Sequence, residues 1–469
     1  MSTFSGLNTA FSGLVAARHG LDVVGQNISN ANTEGYTRQR LTSGSVSAPA
    51  TGLFSTGVRA GQGVVVSGIA RLGDAHLDAQ VRVSLAGSGY SSVQATTLST
   101  FEGSLNEPGD NGISARLQGF WSAWQGLSND AGGGAPTAIL LHEAKGLASQ
   151  LAQGYKSAEG QWSQLRQEAT TMVAEVNTAA AQVADLNTQV RKVLAAGGSA
   201  NELIDQRNTL VATISALSGA SMRQREDGTV DVLIGGNSLV SGDTVRTLAV
   251  AGPGRLNTSS AEAVRVEFTH RPGTSAGLDG GEIAGALSAL APATSGGALA
   301  EAATFYNDFA SSLAAKVNAA HSQGATTDGT IGLDFFNIGG DPAALNLTVI
   351  PTDGSGIAAG TPGGGGLNGT NADAISQLGI GPDSPDVVWA GFVTQLGVET
   401  KAALQTAVLA DLAASSSIGR QLSNASVDMD EENLSLLAYQ HAYQGAARVI
   451  TAIDEMLDTL INRTGVVGR

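Results

Sequence analysis

From Leu141 to Val193, uncharged residues recur at alternating spacings of three and four: Leu141, Ala144, Ala148, Leu151, Tyr155, Ala158, Trp162, Leu165, Ala169, Met172, Val176, Ala179, Val183, Leu186, Val190 and Val193. That spacing lays one seam along a helix. A continuous helix over this stretch spans about 80 Å at 1.5 Å per residue. Gly197-Gly198 stops it. Such seams are more often internal core than interface, and we read this one as the permanent core of the chain.

Both chain ends carry seams of the same kind. Near the N-terminus Leu7, Leu14, Leu21 and Ile28 recur every seventh residue, with Phe4 and Phe11 between them. Near the C-terminus Met429, Leu436, Tyr443, Ile450 and Leu457 do the same, interleaved by Tyr439, Ala446, Ile453 and Leu460. A seven-residue repeat favours a partner helix coiling along the seam. Residues 3–31 read as one helix despite Gly6, Gly13, Gly20 and Gly25. Each interior Gly costs about 0.5–1 kcal/mol relative to Ala, so this helix is marginal alone and needs a partner.

Between the ends the pattern is nested. Helical patterns cover 73–105, 112–130, 200–218, 281–321 and 385 to the end, with a break near Ser426–Asp430. Asp428 and Glu431 have capping-box spacing for the last helix. Tyr36 to Arg71 reads as extended. Short β-branched runs over 221–269, with turns at Glu226-Asp227-Gly228 and Gly235-Gly236-Asn237, predict a small antiparallel sheet. Residues 322–384 are Gly-, Asp- and Thr-rich, with a second β-rich piece expected around Ala344–Ile350. The expected fold is α+β: an elongated, multi-domain chain, with a long helical bundle or coiled coil built from both ends and a β-rich inserted outer domain. The expected divisions are 1–35 plus 428–469, a terminal coiled-coil assembly domain; 36–220 plus 281–325 plus 385–427, a helical rod-like domain; and 221–280 plus 326–384, the β-rich outer domain.

Composition narrows the function. A formal net charge of -16 argues against nucleic acid or an anionic membrane as main partner, since both require a basic face. The chain has no cysteine, which removes disulfides and thiolate metal sites. It has no apolar run of about 18 residues, so no membrane span is expected. No cleavable signal peptide is expected either, because the first basic residue is Arg18. The histidines at 19, 76, 142, 270, 321 and 441 show no metal-binding spacing, and the Gly-rich runs lack a phosphate-binding Lys. Asp428, Asp430, Glu431 and Glu432 fit helix-start acidity better than a calcium loop. Gly273-Thr274-Ser275-Ala276-Gly277 matches a nucleophile-elbow pattern, but Asp279-Gly280-Gly281 delays the helix that an elbow needs at once. We therefore expect no catalytic residue, cofactor or metal.

The segment Asn27-Ile28-Ser29-Asn30-Ala31-Asn32-Thr33-Glu34-Gly35-Tyr36-Thr37-Arg38-Gln39 resembles the N-terminal signature of bacterial flagellar axial proteins. Val427 to Leu460, with Glu431, Leu434, Gln440, Ala442, Tyr443, Ala446, Ile450 and Leu457, is similar to their C-terminal signature. Rod and hook members tend to have Phe-Lys where Tyr36-Thr37-Arg38 stands. That difference, with Asn201-Glu202-Leu203-Ile204-Asp205-Gln206-Arg207-Asn208, Gly280–Gly285 and Val317-Asn318-Ala319-Ala320-His321 before Gly324, resembles the hook-associated branch. The resemblance weakens over 330–384. It implies a non-enzymatic flagellar part at the joint between hook and filament, exported unfolded through the type III export apparatus with a dedicated export chaperone. The implied partners are the hook protein, the second junction protein and further copies of the chain in a ring. The resemblance adds Asn27, Asn30, Asn32 and Tyr36 to the assembly interface that the seams supply as Leu7, Phe11, Leu14, Leu21, Ile28, Leu436, Tyr443, Ile450 and Leu457. On this reading, both chain ends stay largely disordered until neighbouring copies bury their seams.

Overall fold

The computed structural model describes residues 3–47, 61–258 and 261–463. Part of the extended stretch expected between Tyr36 and Arg71, and the last six residues of the terminal domain, lie outside them. Helix α1 (Thr3–Ser29) runs into a turn through Gly35, whose φ of 75° suits glycine. Strands β1 (Gln39–Ser45) and β2 (Val64–Arg71) pair antiparallel, with a bulge at Thr42/Ser43. Asp74 then caps α2 (Ala75–Ser104) by accepting the His76 and Leu77 N–H groups.

Helix α3 (Ile113–Asn129) buries Leu117, Phe120, Trp121, Trp124 and Leu127 on one side. After Gly133 comes α4 (Gly134–Ala195), 62 residues or about 93 Å. It starts seven residues before the seam does, so the spine exceeds the sequence estimate. The seam is buried throughout, apart from half-buried Met172, Leu186 and Val193. Helix α5 (Asn201–Ser218) ends on Gly219 in the left-handed conformation.

Strands β3 (Ser221–Gln224), β4 (Val230–Ile234), β5 (Asn237–Ser241) and β6 (Thr244–Val245) form an antiparallel meander, and β7 (Leu248–Ala251) pairs with β8 (Arg265–Phe268). Gly235 and Gly236 both have positive φ, as the two-residue hairpin between β4 and β5 requires. The helical stretch expected over 281–321 is divided into α6 (Gly281–Ala289) and α7 (Ala298–His321). Pro292 cannot continue the ladder, and Gly296 turns with φ of 81°. The Gly-rich insertion holds β9 (Phe336–Ile338), α8 (Ala343–Asn346), β10 (Leu347–Val349) and α9 (Thr370–Ser376). Ser384 caps α10 (Pro385–Ala425), and Asp428 caps α11 (Met429–Asp458).

Two hydrophobic clusters share α4 as their spine. The first gathers α3, α7, the β9–β10 hairpin and the start of α10 around α4 residues 140–169. The second gathers α5 and strands β4, β5, β7 and β8 around α4 residues 173–184. The meander thus grows out of the helical core instead of standing apart from it. Helices α1 and α11 belong to neither cluster and pack on each other. The result is an elongated α+β molecule, as expected.

Candidate functional site: the terminal helix pair and its polar neck

Helices α1 and α11 run antiparallel. A Cβ at Gly6 would lie 3.3 Å from Ile453 Cδ1, and one at Gly20 would lie 2.4 Å from the Tyr439 ring. Asn27 reaches Glu432 at the other end of the pair. The row of α1 turned to α11 is therefore Gly6, Ala10, Gly13, Ala17, Gly20, Val24 and Asn27. Its members from Ala10 onward are buried, apart from half-buried Gly13. Two of the glycines that weaken α1 as an isolated helix, Gly6 and Gly20, let α11 approach closely, whereas Gly13 and Gly25 have no neighbour within 4 Å. Sequence reasoning treated them only as a cost, although the seven-residue recurrence of Gly6, Gly13 and Gly20 was visible.

The larger apolar row of α1 flanks that inner row and is only partly covered. Phe4 is 69% and Phe11 56% exposed, while Leu7, Leu14, Leu21 and Ile28 are half-buried. Leu436, Tyr439, Ala446, Ile450 and Leu457 share the row of Glu432 and Ile453 that meets α1, and are half-buried. Tyr443 and Leu460 of the sequence seam are exposed, together with Leu434, Leu437, Val449, Met456 and Ile461, which the seam did not include.

At one end the pair is tied to the body by a polar neck. The Asn27 side chain donates to the Gln39 carbonyl (2.9 Å) and to Glu432 Oε2 (3.1 Å). Its Oδ1 accepts from the Gln39 N–H and the Tyr36 hydroxyl, each at 2.9 Å. Arg38 Nε donates to Glu432 Oε1 at 2.7 Å, and its Nη1 to Glu431 Oε2 at 2.6 Å. Glu431 therefore spends its carboxylate on Arg38; the cap of α11 is made by Asp428 alone, which accepts from the Asp430 and Glu431 N–H groups.

The neck continues into the body. Asp205 accepts from the Thr37 N–H (2.9 Å) and from Arg71 Nε (2.5 Å). Gln39 donates to Glu202 and accepts from Asn201. Burial works against the Arg38 charge, but Glu431 and Glu432 more than offset it and raise its pKa. Burial, then the charges of Glu202, Asp205 and Glu432, push the Tyr36 hydroxyl well above the ordinary tyrosine range, so it stays protonated and donating. Three separate sequence motifs, at 27–39, 201–205 and 431–432, meet here. Their spacing gave no hint of contact; only the resemblance had grouped them. Asn30 is half-buried and donates to the Gln26 carbonyl within its own helix turn, and Asn32 is exposed, so neither enters the neck.

This arrangement fixes geometry. Ser275 lies exposed in an antiparallel bridge with Glu267, its Oγ accepting from the Gly277 N–H. Among the described residues no cluster of three His, Asp or Glu could hold a metal ion, and no helix is long and apolar enough to cross a membrane.

Known proteins share this plan. The profile described as the flagellar hook-associated protein FlgK helical domain matches residues 98–336. Residues 421–463 match that of the flagellar basal body rod FlgEFG protein C-terminal region, and residues 7–37 that of flagella basal body rod proteins. Flagellar hook-associated protein 1 of Bacillus subtilis is 29% identical over 513 aligned positions, covering 100% of both chains. Its counterpart in Salmonella typhimurium is 31% identical over 71% of this chain and 59% of that protein, so the chain aligns with about three fifths of that relative. In fold, the chain is similar to the flagellar hook junction protein FlgK from Burkholderia pseudomallei, with a TM-score of 0.60 and 16% identity over 73% of this chain and 99% of that one.

Proposed function

The chain belongs to the FlgK family of flagellar hook-associated proteins, structural parts of the bacterial flagellum, and we propose that it joins hook to filament as a ring of copies assembled through its terminal helix pair. The observation that carries this reading is the division of labour on α1. Its small-residue row packs inside the chain, while its large apolar row is left partly uncovered, with Phe4 and Phe11 exposed and Leu7, Leu14, Leu21 and Ile28 half-buried. Exposed apolar rows of this extent on a soluble chain mark an interaction surface. We place Leu7, Phe11, Leu14, Leu21 and Ile28 of α1, with Tyr443 of α11, at contacts between copies. Leu436, Ile450 and Leu457 support them from behind, through α1.

In this proposal the three-part organisation read from the sequence becomes an order of work. The terminal pair assembles, the helical rod bears load, and the β-rich parts face outward. The partners are other copies, the hook protein and the second junction protein. Export through the type III apparatus, with its chaperone, puts the protein outside the cell, and its role there is non-enzymatic. The pair has only a narrow seam of its own, so its stability in the free chain is low and rises on assembly.

Immunogold electron microscopy of intact flagella tests the placement. Label is expected at the boundary of hook and filament, and a deletion strain should retain hooks without filaments. Label along the hook or at its base would instead favour a hook or distal rod protein.

A further inference from the structure

We propose that His321 is an acid-sensitive latch that holds the Ile357–Gly360 segment of the Gly-rich insertion against the end of α7, and that its protonation frees this segment while the rest of the insertion stays attached. The motif Val317-Asn318-Ala319-Ala320-His321, which the assembly role leaves unused, brings these groups together.

His321 is fully buried, whereas the five other histidines are exposed. Its Nδ1 lies 2.7 Å from the Leu333 carbonyl, and its Nε2 lies 2.9 Å from the Ala358 amide nitrogen. A carbonyl can only accept and an amide N–H can only donate. The ring is therefore neutral, with its proton on Nδ1. Trp124 and Phe335 hold it edge-on, with ring centroids 6.1 and 5.5 Å away. A second proton would sit on Nε2 and point straight at the Ala358 N–H. The Leu333 bond survives that change; the Ala358 bond becomes a donor–donor clash.

One turn earlier, Asn318 clasps the same insertion without a titrating group. Its Oδ1 accepts from the Phe335 and Phe336 N–H groups, and its Nδ2 donates to the Phe336 carbonyl. Acid therefore acts on one end of the insertion only. The segment that would lift is otherwise held by the Ala325–Gly360 bridge, by Asn371 Nδ2 and the Ala372 N–H on the Ala358 and Ala359 carbonyls, and by the Ile357 N–H on the Gly354 carbonyl.

Burial outweighs the one carboxylate that acts on the ring. Burial lowers the pKa of His321 from 6.5, opposed by the Leu333 carbonyl and the carboxylate of Asp334. Lys316 on the same helix donates instead to the Asp383 carbonyl, and Asp328 and Asp373 are exposed. α3 contributes the neutral Trp124, and residues 357–360 carry no titratable side chain. The closed form thus binds a proton less readily than the open form. The latch is at full strength above pH 6.5 and weakens below it, by up to about tenfold in the opening equilibrium per pH unit.

Amide exchange on the full chain at pH 7.5 and pH 5.0, corrected for the acid dependence of intrinsic rates, tests this. Protection at Ala358 is expected to fall about tenfold or more at the lower pH, with Phe335 and Phe336 unchanged. His321→Gln, a neutral donor and acceptor, is expected to abolish that difference. Equal loss at Ala358 and Phe336, no loss at either, or an unchanged pH profile in the Gln variant would overturn the latch. Should that variant fail to fold, the ring nitrogen shifts of His321 in the unaltered chain decide: a proton on Nδ1 alone at pH 7.5 is required, and a proton on Nε2 refutes it.

Discussion

Along α4 the row at spacings of three and four is filled by Leu, Ala, Tyr, Trp, Met and Val side chains that the chain's own core covers. Along α1 the larger apolar row is half-buried or exposed, and a second row, mostly Gly and Ala, does the internal packing. The same periodicity thus serves two ends. Spacing alone identifies a seam. What separates a core from a docking face is whether the rest of the chain closes over the row, as it does on α4 and does not at Phe4 and Phe11 of α1.

The sharpest way to break that contrast is to damage each seam separately. Trp162→Ala removes a fully packed indole that also donates to the Leu290 carbonyl. It should cost about 3–5 kcal/mol, lower the main unfolding midpoint in urea, and leave the terminal pair's own contacts intact. Gly20→Val drives a branched side chain into the Tyr439 ring. Overpacking of this kind costs about 1–3 kcal/mol, and here the upper end is expected. It should appear as lost amide protection confined to α1 and α11, with the main midpoint unchanged. A shift of the main midpoint instead would mean that pair and body fold as one unit.

Glu432→Ala tests the neck that joins the two regions. It deprives Arg38 and Asn27 of a buried acceptor at once, and about 2 kcal/mol is expected, discounted from a fully buried pair because Arg38 is partly solvated. Differential scanning calorimetry should then show the pair melting earlier than the body. Phe11→Asp has the smallest effect on the monomer, within about 0.5 kcal/mol, because the side chain is mostly exposed. Its effect on assembly should be the largest of all, with motility lost and hooks left bare. Normal motility in this variant would end the proposal that the outward row meets neighbouring copies.

Legibility from sequence followed the range of the interactions. The α4 seam, the Asp428 cap and the hairpin turn at Gly235-Gly236 were readable because each depends on residues a few positions apart. The break between α6 and α7 was missed because the stretch was read by its apolar residues, although Pro292 and Gly296 signal it. The neck was invisible to spacing, since Thr37 meets Asp205 across 168 positions and Arg38 meets Glu432 across 394. The inner row of α1 was present in the letters but hidden by convention: glycine in a helix reads as a penalty until a partner ring is seen to occupy the space it vacates.

The polar neck has a mechanical consequence. The 27 residues of α1, with α11 and the β1–β2 hairpin lying along them (the Val64 N–H donates to Ser12 Oγ), make an arm about 40 Å long that joins the body at Asn27. A tilt of about 5° at the neck carries the far tip through about 3.5 Å, less than one helical turn. Small changes of angle at a few hydrogen bonds are thereby geared up into displacements large enough to re-seat a side chain in a neighbouring groove, while the long spine beside them stays rigid.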